Sequence, residues 1–71
     1  MDDDRAERLD GLLMTLGWSK AHFARQCGVH AYTVTRWRPG GKQQPPVWAV
    51  RYAEVLVSVR ALARAAGVAE V

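Results

Sequence analysis

The residues that break helices set the architecture of this chain. Gly17, Gly28, the run Pro39-Gly40-Gly41, the pair Pro45-Pro46 and Gly67 cut it into short segments. Within those segments apolar residues recur at helical spacing, and no stretch alternates in the way a half-buried strand would. Turn pairs of the Asn-Gly type, which close hairpins, are missing. The expected fold is therefore all-α, a small domain of four to five helices.

The segments read as follows. Leu9, Leu12, Leu13 and Leu16 stand at i, i+3, i+4, i+7 and predict a first helix over about residues 4–16. Asp2 to Asp4 supply the negative charge that a helix N-terminus favours, and Gly17 ends the helix as a C′ glycine. Ser19 caps a second helix over about 20–26, with Phe23, Ala24 and Cys27 inward and Gly28 as its stop. A third helix is expected to begin after His30 and run to about Arg38, with Val34 and Trp37 inward. Val29 and Val34 have the spacing of a hydrophobic staple. Pro46 suits the opening turn of a fourth helix running over about 46–66. Trp48, Tyr52, Val55, Val59 and Leu62 form its apolar stripe, and Val50, Val57 and Ala61 fall outside that stripe. The three tryptophans, Trp18, Trp37 and Trp48, are expected in the core.

Size narrows the function. With 71 residues the chain is read as one domain, smaller than the roughly 100–200 residues typical of a catalytic one. No carboxylate pair, nucleophile–base set or glycine-rich phosphate loop stands at usable spacing, so no enzyme is expected. Cys27 is the only cysteine, which excludes an internal disulfide. His22, Cys27 and His30 make a poor zinc set without a fourth ligand, so neither metal nor cofactor is expected. The acidic start Met-Asp-Asp-Asp has the wrong charge for a secretory signal, and no apolar run approaches a membrane span. A cytoplasmic protein without membrane or small-molecule partner is the expectation.

The net charge of +3 hides an uneven distribution. Residues 1–10 carry five acids against Arg5 and Arg8, a net of −3. Residues 11–53 carry Lys20, Arg25, Arg36, Arg38, Lys42 and Arg51 with no acid, a net of +6. Residues 54–71 balance to zero. A basic central segment of this kind suits a polyanionic partner.

Two short helices around a glycine-containing turn define a helix-turn-helix over about residues 19–38. The segment WSKAHFARQCGVHAYTVTRWRPG, Trp18 to Gly40, resembles the helix-turn-helix of the Xre and phage-repressor (Cro-like) family. The agreement lies in Ser19 at the cap, Phe23 and Ala24 in the first helix, and Gly28 and Val29 in the turn. Val34, Trp37 and the closing Gly40 complete it. His30 stands where that family has Ser, Thr or Asp, which implies a weakened cap. Arg38 and Pro39 stand where a Glu and a polar residue are common.

The resemblance implies a sequence-specific transcriptional regulator, a repressor of phage or mobile-element type, autoregulatory or anti-CRISPR-associated. Its second motif helix would lie in the major groove of double-stranded DNA. Base contacts would then fall to Ala31, Tyr32, Thr33, Thr35 and Arg36. Arg36 would be the main reader, because arginine pairs bidentately with guanine. Lys20, Arg38, Lys42, Gln43 and Gln44 would hold phosphates, which positions the protein without specifying sequence. A single small reading head suggests a homodimer on a palindromic operator, joined through Val55, Val59 and Leu62. The other reading of the same scaffold is a protein–protein interaction module.

Overall fold

The structure, a computed structural model, describes residues 4–67. Four helices follow in order: α1 (Arg5–Leu16), α2 (Lys20–Cys27), α3 (Ala31–Thr35) and α4 (Val47–Ala65). The all-α architecture with a long C-terminal helix is as expected, and no strand occurs among the described residues. Asp2 and Asp3, expected at the start of the first helix, lie outside those residues.

Helix ends are set by side chains the spacing identified and by others it did not. Asp4 caps α1, its Oδ1 accepting from the Glu7 N–H at 3.2 Å. Ser19 caps α2 through the His22 N–H at 3.1 Å. Gly17 and Gly28 take the left-handed conformation, φ 73° and 77°, that closes α1 and α2 with the backbone donating back to the last turn. His30 departs from expectation: its Nδ1 accepts from the Tyr32 N–H at 3.2 Å, so an imidazole does the work of the missing hydroxyl.

α3 is shorter than the spacing predicts. It ends at Thr35, and Arg36 is its C-cap. The chain then tightens, with the Arg36 and Trp37 N–H groups donating to the carbonyls of Thr33 and Val34 three residues back. The stretch from Arg36 to Arg38 is therefore capping turn rather than helix, and Trp37 stays inward as the spacing predicts.

The core gathers Leu9, Leu13 and Leu16 of α1, Phe23 and Ala24 of α2, and Val34 with Trp37. α4 contributes Ala49, Val50 and Ala53, with Leu56 and Val57 half-buried beside them. Of the stripe that the spacing picks out, Tyr52 is half-buried and Trp48, Val55, Val59 and Leu62 are exposed. Trp48 is 49% exposed and no core residue, and Trp18 is only half-buried; of the three tryptophans Trp37 alone is fully inside. The reason is distance. Ala6 on α1 and Ala49 and Ala53 on α4 are all wholly buried, and alanines at a helix crossing allow a close approach that large side chains would prevent.

Long-range polar contacts lock the start of α1 to the segment before α4. The Gly40 N–H donates to Asp4 Oδ2 at 2.7 Å, and Arg5 Nε donates to the Pro45 carbonyl at 2.7 Å. The Ala6 N–H donates to Gln44 Oε1 at 2.9 Å. Arg8 and Glu54 form an ion pair between α1 and α4. Arg60 Nη1 donates at 2.6 Å to the carbonyl of Leu16, at the negative end of the α1 dipole. No helix among the described residues is long and apolar enough to cross a membrane.

Candidate nucleic-acid interface

α2 and α3 pack on each other across the turn Gly28–His30, and burial on α3 is one-sided. Val34 is fully buried and Trp37 nearly so, whereas Ala31, Tyr32, Thr33, Thr35 and Arg36 are all exposed. The residues assigned to base contact thus share the outer surface of α3 and its cap. Thr35 Oγ1 donates to the Tyr32 carbonyl at 2.8 Å, so its hydroxyl proton is used within the helix. The Arg36 guanidinium lies 5.3 Å from the centre of the Tyr32 ring, a cation–π contact one turn long. That contact holds a long side chain against the helix and reduces the rotamer freedom it would lose on binding.

The residues assigned to phosphate do not form one class. Arg38, Lys42 and Gln43 are exposed, with no internal partner seen for their side chains among the described residues. Lys20 and Gln44 are engaged inside the fold. Lys20 Nζ donates to the Trp37 carbonyl at 3.2 Å and lies 3.8 Å from Asp10. It thereby ties the end of α3 to the start of α2. Gln44 uses its whole amide: Oε1 accepts from Ala6, and Nε2 donates to the carbonyls of Gly41 at 3.0 Å and Arg38 at 3.4 Å. A glutamine that accepts from α1 and donates twice to its own loop shapes the segment carrying Arg38 and Lys42. Arg25 and Arg51, basic residues without a role in the sequence reading, are also exposed.

Val55, Val59 and Leu62 all lie at the surface of α4. Cys27 is half-buried behind Trp48 and Tyr52, and this burial pushes its thiol above the ordinary cysteine value. No group of three or more His, Cys, Asp or Glu able to hold a metal ion occurs among the described residues. Comparison of the chain with protein-family models, with curated proteins and with solved structures finds no match in any of the three.

Proposed function

We propose that the protein is a sequence-specific DNA-binding transcriptional regulator, a small repressor of phage or mobile-element type, whose α3 surface enters the major groove. The carrying observation is the one-sided burial of α3. Val34 and Trp37 fix the helix from behind, and Tyr32 with its stacked Arg36 stands free in front. The absence of any acid from residue 11 to residue 53 supports the same reading. Arg36 reads guanine, and Tyr32 orients it. Ala31, Thr33 and Thr35 present methyl groups of a size to meet thymine. Arg38 and Lys42, with Gln43 beside them, hold phosphates from the following loop. Lys20 and Gln44 serve this surface from within by fixing α3 and the loop. The activity is recognition, without catalysis.

Selection of bound sites from a random DNA pool, followed by titration of the selected duplex, tests this reading. Arg36→Ala removes about 1–3 kcal/mol of preference for the selected site, while Lys42→Ala weakens all duplexes alike and lowers the salt slope by about one. Equal loss of selected and random duplex on Arg36→Ala would place the reading face elsewhere. The exposed apolar side of α4 favours the protein-interaction reading of the scaffold as the second possibility. Nucleic-acid binding that is absent, or flat with salt, would decide for it.

A further inference from the structure

His30 caps α3 with a group that has more to offer than a cap needs. The strong caps, Ser, Thr, Asp and Asn, hold a helix end with a side-chain oxygen. An imidazole carries two nitrogens on opposite sides of its ring, and one helix end can use only one of them. In this chain Nδ1 accepts from the Tyr32 N–H at 3.2 Å. A ring nitrogen that accepts carries no proton, so the ring proton sits on Nε2. The capping bond thus fixes both the tautomer and the orientation of the ring. Nε2–H is left as a donor pointing away from α3, on an exposed side chain, with no internal partner seen among the described residues.

We propose that the Nε2–H of His30 donates to a DNA phosphate, so that one ring caps α3 and holds the duplex at once. The inference rests on the reading of α3 as the helix that enters the major groove, and adds a residue to it. His30 stands four positions before buried Val34, off the face that carries Tyr32 and Arg36. A donor placed there meets the wall of the groove, where the phosphates lie, and not the base edges at its floor. The hold belongs to the side chain and not to the helix end, since the Tyr32 N–H is already taken by Nδ1.

The surroundings fit this role. No acid stands between residues 11 and 53, so no carboxylate on α2, α3 or the turn between them competes with a phosphate for the donor. Arg38 and Lys42, the phosphate holds of the following loop, lie beyond the other end of α3. That helix has five residues, about 7.5 Å at 1.5 Å per residue. Holds at one end alone leave the tilt of so short a helix free, and His30 supplies the hold at the opposite end. An uncharged donor also differs from Lys42 in a measurable way. It brings no charge, so it displaces no counterion and leaves the salt dependence of binding unchanged.

The test uses the full chain at about pH 8, where an ordinary histidine is neutral. The duplex selected by wild type is titrated beside a random one. His30→Ser installs the usual cap and removes the second nitrogen. It is expected to keep or raise the urea midpoint, to weaken both duplexes by about tenfold, and to leave the salt slope as it was. His30→Gln gives up the cap but keeps an N–H of similar reach, so it should lower the midpoint and recover part of the affinity. Neutralising single phosphates as methylphosphonates should find one position that weakens wild type and leaves His30→Ser unaffected. His30→Ser binding as tightly as wild type, a loss confined to the selected duplex, or a changed salt slope would overturn the proposal. The expected response of Arg36→Ala would then leave the reading of α3 standing, whereas a wild type that binds no DNA would overturn both.

Discussion

Gln44 separates a scaffold role from a DNA role. Replacing it with alanine removes the acceptor for the Ala6 N–H and the donor to two loop carbonyls. Ala6 is wholly buried, and its N–H lies in the first turn of α1, where no intrahelical carbonyl can take it. Leaving such a donor without an acceptor costs about 1–3 kcal/mol, while the carbonyls of exposed Arg38 and half-buried Gly41 regain water at little cost. The expected loss is thus about 2 kcal/mol. For a domain of this size total stability is only about 4–10 kcal/mol, so the loss is a large share. It corresponds to a fall of roughly 8–16 °C in Tm.

Thermal and urea unfolding followed by circular dichroism measures the stability loss, and DNA titration well below the new Tm measures the other role. Gln44→Glu is the informative companion, because it keeps an acceptor for Ala6 and gives up the donor to Gly41. It should retain more stability than Gln44→Ala. Unchanged unfolding curves together with weakened DNA binding would refute the scaffold assignment and return Gln44 to the phosphate set.

Two glycines of similar openness should respond in opposite directions. A Cβ at Gly11 or Gly28 meets no atom within 4 Å, so only backbone conformation decides. Gly11→Ala, inside α1, should stabilise by about 0.5–1 kcal/mol, and Gly28→Ala, at φ 77°, should destabilise by about 1–2 kcal/mol, both read from urea midpoints. For Cys27 the folded thiol holds its proton to higher pH than the unfolded one. Stability from this group is therefore complete below the unfolded thiol's pKa and is lost as pH rises through the folded one. Wild type should lose stability across the alkaline range more steeply than Cys27→Ala, and native Cys27 should be alkylated more slowly than the unfolded chain. Parallel stability curves for the two proteins would contradict this.

What the sequence made legible was local. The glycines, the Ser19 cap and the inward pair of Val34 and Trp37 depend on neighbours within a turn, and spacing exposes them. Trp48 outside the core and the early end of α3 depart from the expectation, and other features lay beyond what spacing can carry. α4 has two apolar faces, and the periodicity singles out the one with the larger side chains. Which face turns inward depends on how closely α1 comes, and alanine allows the closest approach. α3 stops at Thr35 in a last turn tightened by bonds three residues back, a change of a few residues that periodicity does not resolve. Gln44 and Lys20 read as surface polar residues because their partners, Ala6 and Trp37, stand 38 and 17 positions away. The five residues assigned to base contact, four on the outward face and Thr33 at its flank, are all exposed. For the phosphate set spacing could not distinguish groups that face solvent from groups already engaged.

The bonds from Asp4, Arg5 and Ala6 to the segment before α4 bear on the order in which the chain folds. They span 36 to 40 residues, while the α2–α3 pair closes across a turn of three. Long loops close more slowly than short ones, so the motif helices should associate early and the α1 latch should form late. Arg38 and Lys42 lie beside residues held by that latch. A nascent or partly opened chain would accordingly display the face of α3 before it sets its basic loop, and selectivity would mature only when the first residues of α1 have docked.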